Sequence, residues 1–130
     1  MSQSVPINLK RWFILHFAVD LLFAIPLFFF PIAFLSFLGW QTIDPFATRI
    51  VAAALFGIGI ESFLGRNASA QTFKNMLNLK IIWSGATIFG VGLSIFQSAS
   101  PASIGQWFLF LTFIVFNLVW VAWRIKINNI

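Results

Sequence analysis

Cysteine is absent from this sequence, and charged residues are scarce. The absence of cysteine excludes disulfide bonds, thiolate metal sites and thiol redox catalysis. Only 8% of the 130 residues are charged, whereas a typical soluble domain has about 25%. This leaves too little polar side chain to cover a water-soluble globule, and 60% of the residues are hydrophobic. A soluble single domain and a disordered chain are therefore excluded.

The few ionisable residues also limit the possible chemistry. One histidine and three acidic residues are too few for bis-histidine haem ligation within one chain or for a di-iron carboxylate site. We therefore expect no metal and no cofactor. The eight Lys and Arg residues are scattered along the chain and do not form the basic stripe that follows a phosphate backbone. We therefore expect no nucleic-acid partner.

Four long apolar segments occupy most of the chain. They cover residues 12–38, 46–64, 76–96 and 104–123. Each is close to or above the length of about 20 residues that crosses a bilayer as a helix. None shows the alternation of a membrane strand. The sequence predicts an all-α integral membrane protein, folded as one transmembrane domain (residues 1–130) in an antiparallel four-helix bundle.

Residues at the segment ends predict where helices begin, bend and end. Asp44-Pro45 and Ser100-Pro101 combine an N-cap side chain with a proline at the first helical position, and so predict helix starts. Pro26 and Pro31 predict a kink or break in the first segment, with residues 31–38 as a separate short element. The polar stretch 66–72 predicts the connection between the second and third helices.

Basic residues predict the orientation in the membrane. All but one of them fall on the same side of a four-span topology; these are Lys10, Arg11, Arg66, Lys74, Lys80, Arg124 and Lys126. The opposite side has only Arg49. The positive-inside rule therefore predicts that both termini are cytoplasmic. We expect a multi-pass protein of a bacterial inner membrane.

Several polar groups lie within the apolar segments at a similar depth. At 1.5 Å per residue, they are about 8–14 Å from the cytoplasmic ends of their spans. We predict an intramembrane cluster of Asp20, Lys80 and Glu61. The other candidates near it are His16, Arg66, Trp83, Ser84 and Asn117. A charge at a helix centre costs about 2.5–3.5 kcal/mol when unpaired, so we expect these groups to face inward.

The second apolar segment also has small residues on one side. Ala53, Gly57 and Gly65 recur with Glu61 at intervals of four residues, and they predict the face along which another helix approaches.

Three interpretations of this cluster remain open. It is a structural ion pair that fixes helix register, a pocket for a ligand or substrate, or part of an ion or proton path. The first functional hypothesis is a protein that binds a lipidic molecule or a partner's transmembrane helix. The second is an enzyme acting on a lipid-soluble substrate, with His16 or Glu61 as general base. The third is an ion-coupled carrier that works as an oligomer. We also expect membrane lipids as partners.

Two runs near the middle of the chain resemble a known group of proteins. They are residues 57–68 (GIGIESFLGRNA), with Arg49 upstream, and residues 77–84 (LNLKIIWS). Together with Asp20 and the sequence Leu38-Gly39-Trp40, they resemble uncharacterised small bacterial membrane proteins with four spans. The resemblance covers roughly the first 85 residues. It implies a fold but no reaction.

Overall fold

All secondary-structure elements of the described residues are helices. The computed structural model describes residues 4–129. Over this range it contains five α-helices, one 3-10 turn (Gly65–Asn67) and no strand. The helices are α1 (Ile7–Phe29), α2 (Pro31–Phe37), α3 (Pro45–Leu64), α4 (Ala70–Gln97) and α5 (Ile104–Asn128). The all-α prediction is confirmed.

Four helical segments are long and apolar enough to cross a membrane. They are Ile7–Phe29, Pro45–Asn67, Ala70–Gln97 and Ile104–Asn128, with lengths of 23, 23, 28 and 25 residues. A helix of 23 residues is about 35 Å long, which exceeds the roughly 30 Å hydrocarbon core of a bilayer. Large apolar side chains are exposed on these helices, for example Leu22 and Phe89 at 70% and 71%. The four predicted spans are confirmed as candidate spans by length and composition.

The helices extend beyond the predicted spans. Helix α1 begins five residues earlier than residue 12, at Ile7, and α4 begins at Ala70 instead of residue 76. Only residues 68 and 69 separate the 3-10 turn from α4, so the predicted connection over residues 66–72 is too long. A run of apolar residues predicts only the part of a helix that can lie in the hydrocarbon core of a bilayer. The helix itself continues until the backbone hydrogen-bonding pattern is interrupted.

The chain forms two compact units that divide between Ala70 and Gln71. In the first unit, α1 and α3 pack against each other. The rings of Phe17 and Phe63 lie 4.8 Å apart, and those of Phe28 and Phe56 lie 5.9 Å apart. Since the residue number rises along α1 as it falls along α3, the two helices run antiparallel.

Helix α1 ends at a proline-dependent break. Phe30 separates α1 from α2 with φ of −132° and ψ of 52°, outside the α-helical region that a following proline disfavours. Pro31 then takes the first position of α2, where its missing N–H is not needed. Pro26, by contrast, lies within α1 and does not end it. The carbonyl of Phe28, left without a helical partner by the break, accepts a hydrogen bond of 3.0 Å from Nε of Arg49 on α3.

The connection from α2 to α3 uses a glycine turn and a side-chain cap. Gly39 has a φ of +92°, a left-handed conformation that favours glycine. The N–H groups of Gly39 and Trp40 donate to the carbonyls of Ser36 and Leu35, which is a Schellman end to α2. Asp44 then caps α3, because its carboxylate accepts hydrogen bonds from the N–H groups of residues 46 and 47. The predicted helix start at Asp44-Pro45 is confirmed.

In the second unit, α4 and α5 also run antiparallel. Asn78 and Arg124 are in contact near one end, whereas Phe96 and Trp107 are in contact near the other. Helix α5 begins at Ile104, as the predicted span does, but the predicted Ser100-Pro101 start is wrong. Ser103 is the N-cap instead. It forms a reciprocal capping box with Gln106, which satisfies two helix-end N–H groups.

Candidate functional site

His16 and Asp20 lie on the buried face of α1. That face consists of Leu9, Phe13, His16, Asp20, Ala24 and Leu27. The spacing of three and four residues places all six on one side of the helix. His16 is 7% exposed and Asp20 is 5% exposed. Nδ1 of His16 lies 2.9 Å from Oδ2 of Asp20, and the two form an ion pair when the imidazole is protonated.

The Asp20 carboxylate has an unsatisfied oxygen. Within residues 4–129, no group makes a hydrogen bond to Oδ2, and this atom is fully buried. The His16 contact is short, but it does not have the geometry of a hydrogen bond. A buried carboxylate oxygen without a hydrogen-bond donor is costly, because it has lost its water, and here only the 2.9 Å contact with His16 offsets that loss. Oδ2 is therefore the polar atom in the first unit with the clearest need for a further partner.

Gly59 allows Asp20 to fit between α1 and α3. A Cβ atom added at Gly59 would lie 2.7 Å from Cβ of Asp20 and 3.2 Å from its Oδ2. Both distances are shorter than ordinary carbon contact, which is about 3.5–4.0 Å. The absence of a side chain at this position therefore permits the close approach of the two helices.

The predicted face of close helix approach is wrong at three of its four positions, since only Gly65 is buried. Ala53 and Gly57 are exposed, and a Cβ at Gly57 would have nothing within 4 Å. The buried residues of α3 are instead Ala52, Leu55, Gly59 and Ser62. Both sets follow helical spacing. Sequence periodicity could not choose between them because α3 is apolar on several sides.

Glu61 and Arg66, two predicted site residues, lie near the end of α3. Glu61 is exposed. It is two positions after Gly59, which corresponds to about 200° around a helix, so it points away from the side that meets Asp20. Arg66 folds back onto its own helix end. Its Nη1 donates to the Phe63 carbonyl at 2.7 Å, and its guanidinium lies 3.9 Å from the centre of the Phe63 ring. The pairing of Glu61 and Arg66 with the other cluster members stays a prediction.

In the second unit, Asn117 links α5 to α4. Its Nδ2 donates to Oγ of Ser84 at 2.9 Å and to the carbonyl of Ile81 at 3.1 Å. Ser84 is 2% exposed, and its hydroxyl donates to the Lys80 carbonyl at 2.6 Å. Two of the predicted site residues, Ser84 and Asn117, are thus in direct contact. Such hydrogen bonds hold helices together in lipid, where water does not compete for the polar groups.

Lys80 is the buried cation of the second unit. It is 2% exposed, and its neighbour Trp120 is 1% exposed. Nζ of Lys80 lies 5.1 Å from the Trp120 ring centre, within the range of a cation–π interaction. Trp83, which we predicted as a site residue, is only half-buried. Trp120 lies three residues after Asn117, which places both residues on the same face of α5.

A second polar contact joins α4 and α5 nearer to their ends. Nε of Arg124 donates to Oδ1 of Asn78 at 2.7 Å, and Nη1 donates to Oδ1 of Asn128. Lys126 places its Nζ 4.9 Å from the Trp123 ring centre. The sequence prediction did not include Asn78. Its position four residues after Lys74 was the available signal, since it places the amide on the same face as a basic residue.

The fold and these polar groups define an all-helical protein in which two of the four candidate membrane spans carry buried ionisable side chains, namely His16 and Asp20 on α1 and Lys80 on α4. Within residues 4–129, no group of three or more His, Asp or Glu residues is arranged to hold a metal ion. Comparison of the chain with protein-family models, with curated proteins and with solved structures found no match. The function must therefore be argued from the polar groups themselves.

Proposed function

We propose that this chain is a small multi-pass membrane protein that binds a lipid-soluble molecule through Asp20. The molecule carries a hydroxyl or amino group that donates a hydrogen bond to Oδ2 of Asp20. The observation that supports this proposal is the buried Oδ2 atom, which accepts no hydrogen bond within residues 4–129. A carboxylate oxygen is an acceptor only, so the missing partner must be a donor.

The position of Asp20 makes an unsatisfied oxygen costly. Asp20 is about 20 Å along the helix from Ile7 and about 14 Å from Phe29, at 1.5 Å per residue. If α1 crosses a bilayer, Asp20 lies near the middle of the hydrocarbon. An unpaired carboxylate there costs about 2.5–3.5 kcal/mol, and the ion pair with a protonated His16 offsets part of this cost. A polar ligand group that reaches Oδ2 removes part of this cost, and this gain favours binding.

The surroundings of Oδ2 favour a ligand that is apolar apart from its donor. Leu21 and the side-chain-free Gly59 lie beside Asp20, and the aromatic pair Phe17–Phe63 is on the same two helices. Pockets for small molecules commonly combine such apolar walls with one or two polar groups that fix orientation. His16 beside the carboxylate provides the second polar group.

Native mass spectrometry of the protein, extracted gently from its membrane, tests this proposal. We expect the wild-type chain to retain one small molecule per binding site. Asp20→Asn should retain it about ten-fold less, because hydrogen bonds to a charged group contribute about 1.5–3 kcal/mol and neutral ones about 0.5–1.5 kcal/mol. Asp20→Leu, which keeps the branched shape and removes both oxygens, should abolish retention.

Asp44→Asn is the matched control, since it makes the same chemical change outside the buried face. Asp44 caps α3, and asparagine is an equally good cap. This variant should therefore bind as the wild type does. A chain without any bound molecule, or a bound molecule that both Asp20 variants retain fully, would refute the proposal. If the wild-type chain instead retains another membrane protein, and the Asp20 variants do not, the binding partner of Asp20 is a transmembrane helix and not a small molecule.

A second candidate function is acid–base catalysis on the same molecule. It is favoured by the 2.9 Å contact between Asp20 and His16, which places a carboxylate next to the imidazole that would act as the general base. Wild-type protein incubated with the co-extracted molecule should then convert it to an isomer that chromatography separates, and His16→Gln should not. Recovery of the unconverted molecule with the wild type would leave binding alone as the function.

We also propose the orientation and the location of the chain. In the first unit, Lys10, Arg11 and Arg66 lie at one end of the antiparallel pair, whereas Arg49 lies near the other. In the second unit, the Lys and Arg residues lie toward the end where α4 begins and α5 ends. This supports a bacterial inner-membrane protein with both termini cytoplasmic. The packing of all four spans into one antiparallel bundle stays a prediction.

Reporter fusions test the orientation. A fluorescent protein that folds only in the cytoplasm should be active when fused to either end of the chain. A periplasmic phosphatase should be active only when inserted in the connection between α2 and α3, or in that between α4 and α5. Phosphatase activity at one terminus would contradict this topology.

A further inference from the structure

The second unit contains an unusual concentration of positive charge at one end. Residues 71–130 include four Lys or Arg residues and no Asp or Glu. All four lie in the first half of α4 or the last turns of α5; they are Lys74, Lys80, Arg124 and Lys126. Because the two helices run antiparallel, these positions lie toward the same end of the unit. No carboxylate of this unit neutralises them.

Arg124 turns this end into a surface of hydrogen-bond donors. Its guanidinium donates to the amide oxygens of Asn78 and Asn128. With these oxygens occupied, each amide presents its NH₂ group, which only donates. Asn78 and Asn128 are both exposed. The neighbouring Lys74, four residues before Asn78, adds a third donor group to the same face of α4.

An anionic phosphate matches this arrangement. A phosphate has several acceptor oxygens and a negative charge, whereas the side chains of this surface offer a guanidinium, an ammonium and two amide NH₂ groups as donors. Arginine in a fixed orientation is well suited to phosphate oxygens. The two asparagine oxygens hold Arg124 in such an orientation.

The surroundings indicate that the phosphate belongs to a lipid. The site lies at the end of two candidate spans. Trp123 is one residue away, beneath the Lys126 ammonium, and tryptophan favours the membrane interface. On the same helix, Leu118 and Ile125 are exposed at 64% and 60%, so acyl chains have apolar surface below the headgroup. A soluble phosphate compound would make no use of these side chains.

We infer that Lys74, Asn78, Arg124 and Asn128 form a binding site for the headgroup of an anionic phospholipid. This inference is independent of the proposed function, because it concerns different residues in the other unit. The site would hold one lipid in a fixed position, whereas a diffuse basic surface attracts anionic lipids without fixing any of them.

Lipid retention by the full-length protein tests this inference. The protein is reconstituted into nanodiscs that contain equal amounts of phosphatidylglycerol and phosphatidylcholine, and retained lipids are counted by native mass spectrometry. We expect retained phosphatidylglycerol to exceed phosphatidylcholine. Lys74→Gln and Arg124→Gln should each weaken its retention about five-fold, from the attraction of one cation to an anionic lipid. Arg124→Gln also loses the asparagine contacts, so Lys74→Gln is the variant expected to keep the fold.

Arg49→Gln is the matched control, because it removes an exposed cation from the first unit. It should leave phosphatidylglycerol retention unchanged. Equal retention of both lipids by the wild type would overturn the inference, as would an equal loss in Lys74→Gln and Arg49→Gln. Loss of the preference when inorganic phosphate is added in excess would show a site for free phosphate and would overturn the assignment to a lipid.

Discussion

Replacing Gly59 by alanine adds a methyl group at the point where α1 and α3 touch. The new Cβ would lie 2.7 Å from Cβ of Asp20 and 3.4 Å from Cδ1 of Leu21. Cβ of Asp20 is bonded directly to the backbone, so no side-chain rotation can relieve this contact. The two helices must instead move apart by about 1 Å to restore ordinary carbon contact.

The same substitution at Gly57 provides the reference for the size of the effect. Gly57 lies on the same helix, and a Cβ there has nothing within 4 Å. Both substitutions gain about 0.8–1.0 kcal/mol from the better helix propensity of alanine. Only Gly59→Ala also incurs a cost of about 1–3 kcal/mol for overpacking. The helix-propensity gain cancels in the comparison, so Gly59→Ala should be less stable than Gly57→Ala by about 1–3 kcal/mol.

Unfolding in mixed detergent micelles measures this difference. The two variants are titrated with a denaturing detergent, and helix content or tryptophan fluorescence gives the free energy of unfolding of each. Gly57→Ala should be as stable as the wild type or more stable. If Gly59→Ala has the same free energy of unfolding as Gly57→Ala, the contact between Asp20 and α3 is not as described, and the argument for a buried Oδ2 atom at that contact fails with it.

Two further substitutions test the polar contacts within each unit. Asn117→Leu removes the hydrogen bonds to Ser84 and to the Ile81 carbonyl, and should lower the free energy of unfolding by about 0.6–1.7 kcal/mol; an unchanged value would show that they contribute nothing to stability. Arg49→Met removes the donor to the Phe28 carbonyl and should cost about 1 kcal/mol. In this variant, backbone hydrogen exchange at the end of α1 should be faster than in the wild type. Exchange rates equal to those of the wild type would contradict the role of Arg49 at this helix end.

The sequence alone determined the helical class and the four candidate spans. Few charges and long apolar segments permit only helices in lipid, because each helix satisfies its own backbone hydrogen bonds. Local chemistry also determined some boundaries. The start of α3 at Asp44-Pro45 depends on neighbouring residues only. The start of α5 was misplaced, because two serines in the region can serve as caps and Gln106 decides in favour of Ser103.

Only the tertiary structure decided which face of each helix is buried. Gly57 and Gly59 are both small residues in the same apolar helix, yet only Gly59 meets Asp20. A helix that suits lipid is apolar on its buried and exposed sides alike, so its hydrophobic pattern does not mark the protein interior. The contact between Asn78 and Arg124 depends in the same way on the register of α4 against α5. That register is set by side-chain packing between residues far apart in the chain, which no local pattern records.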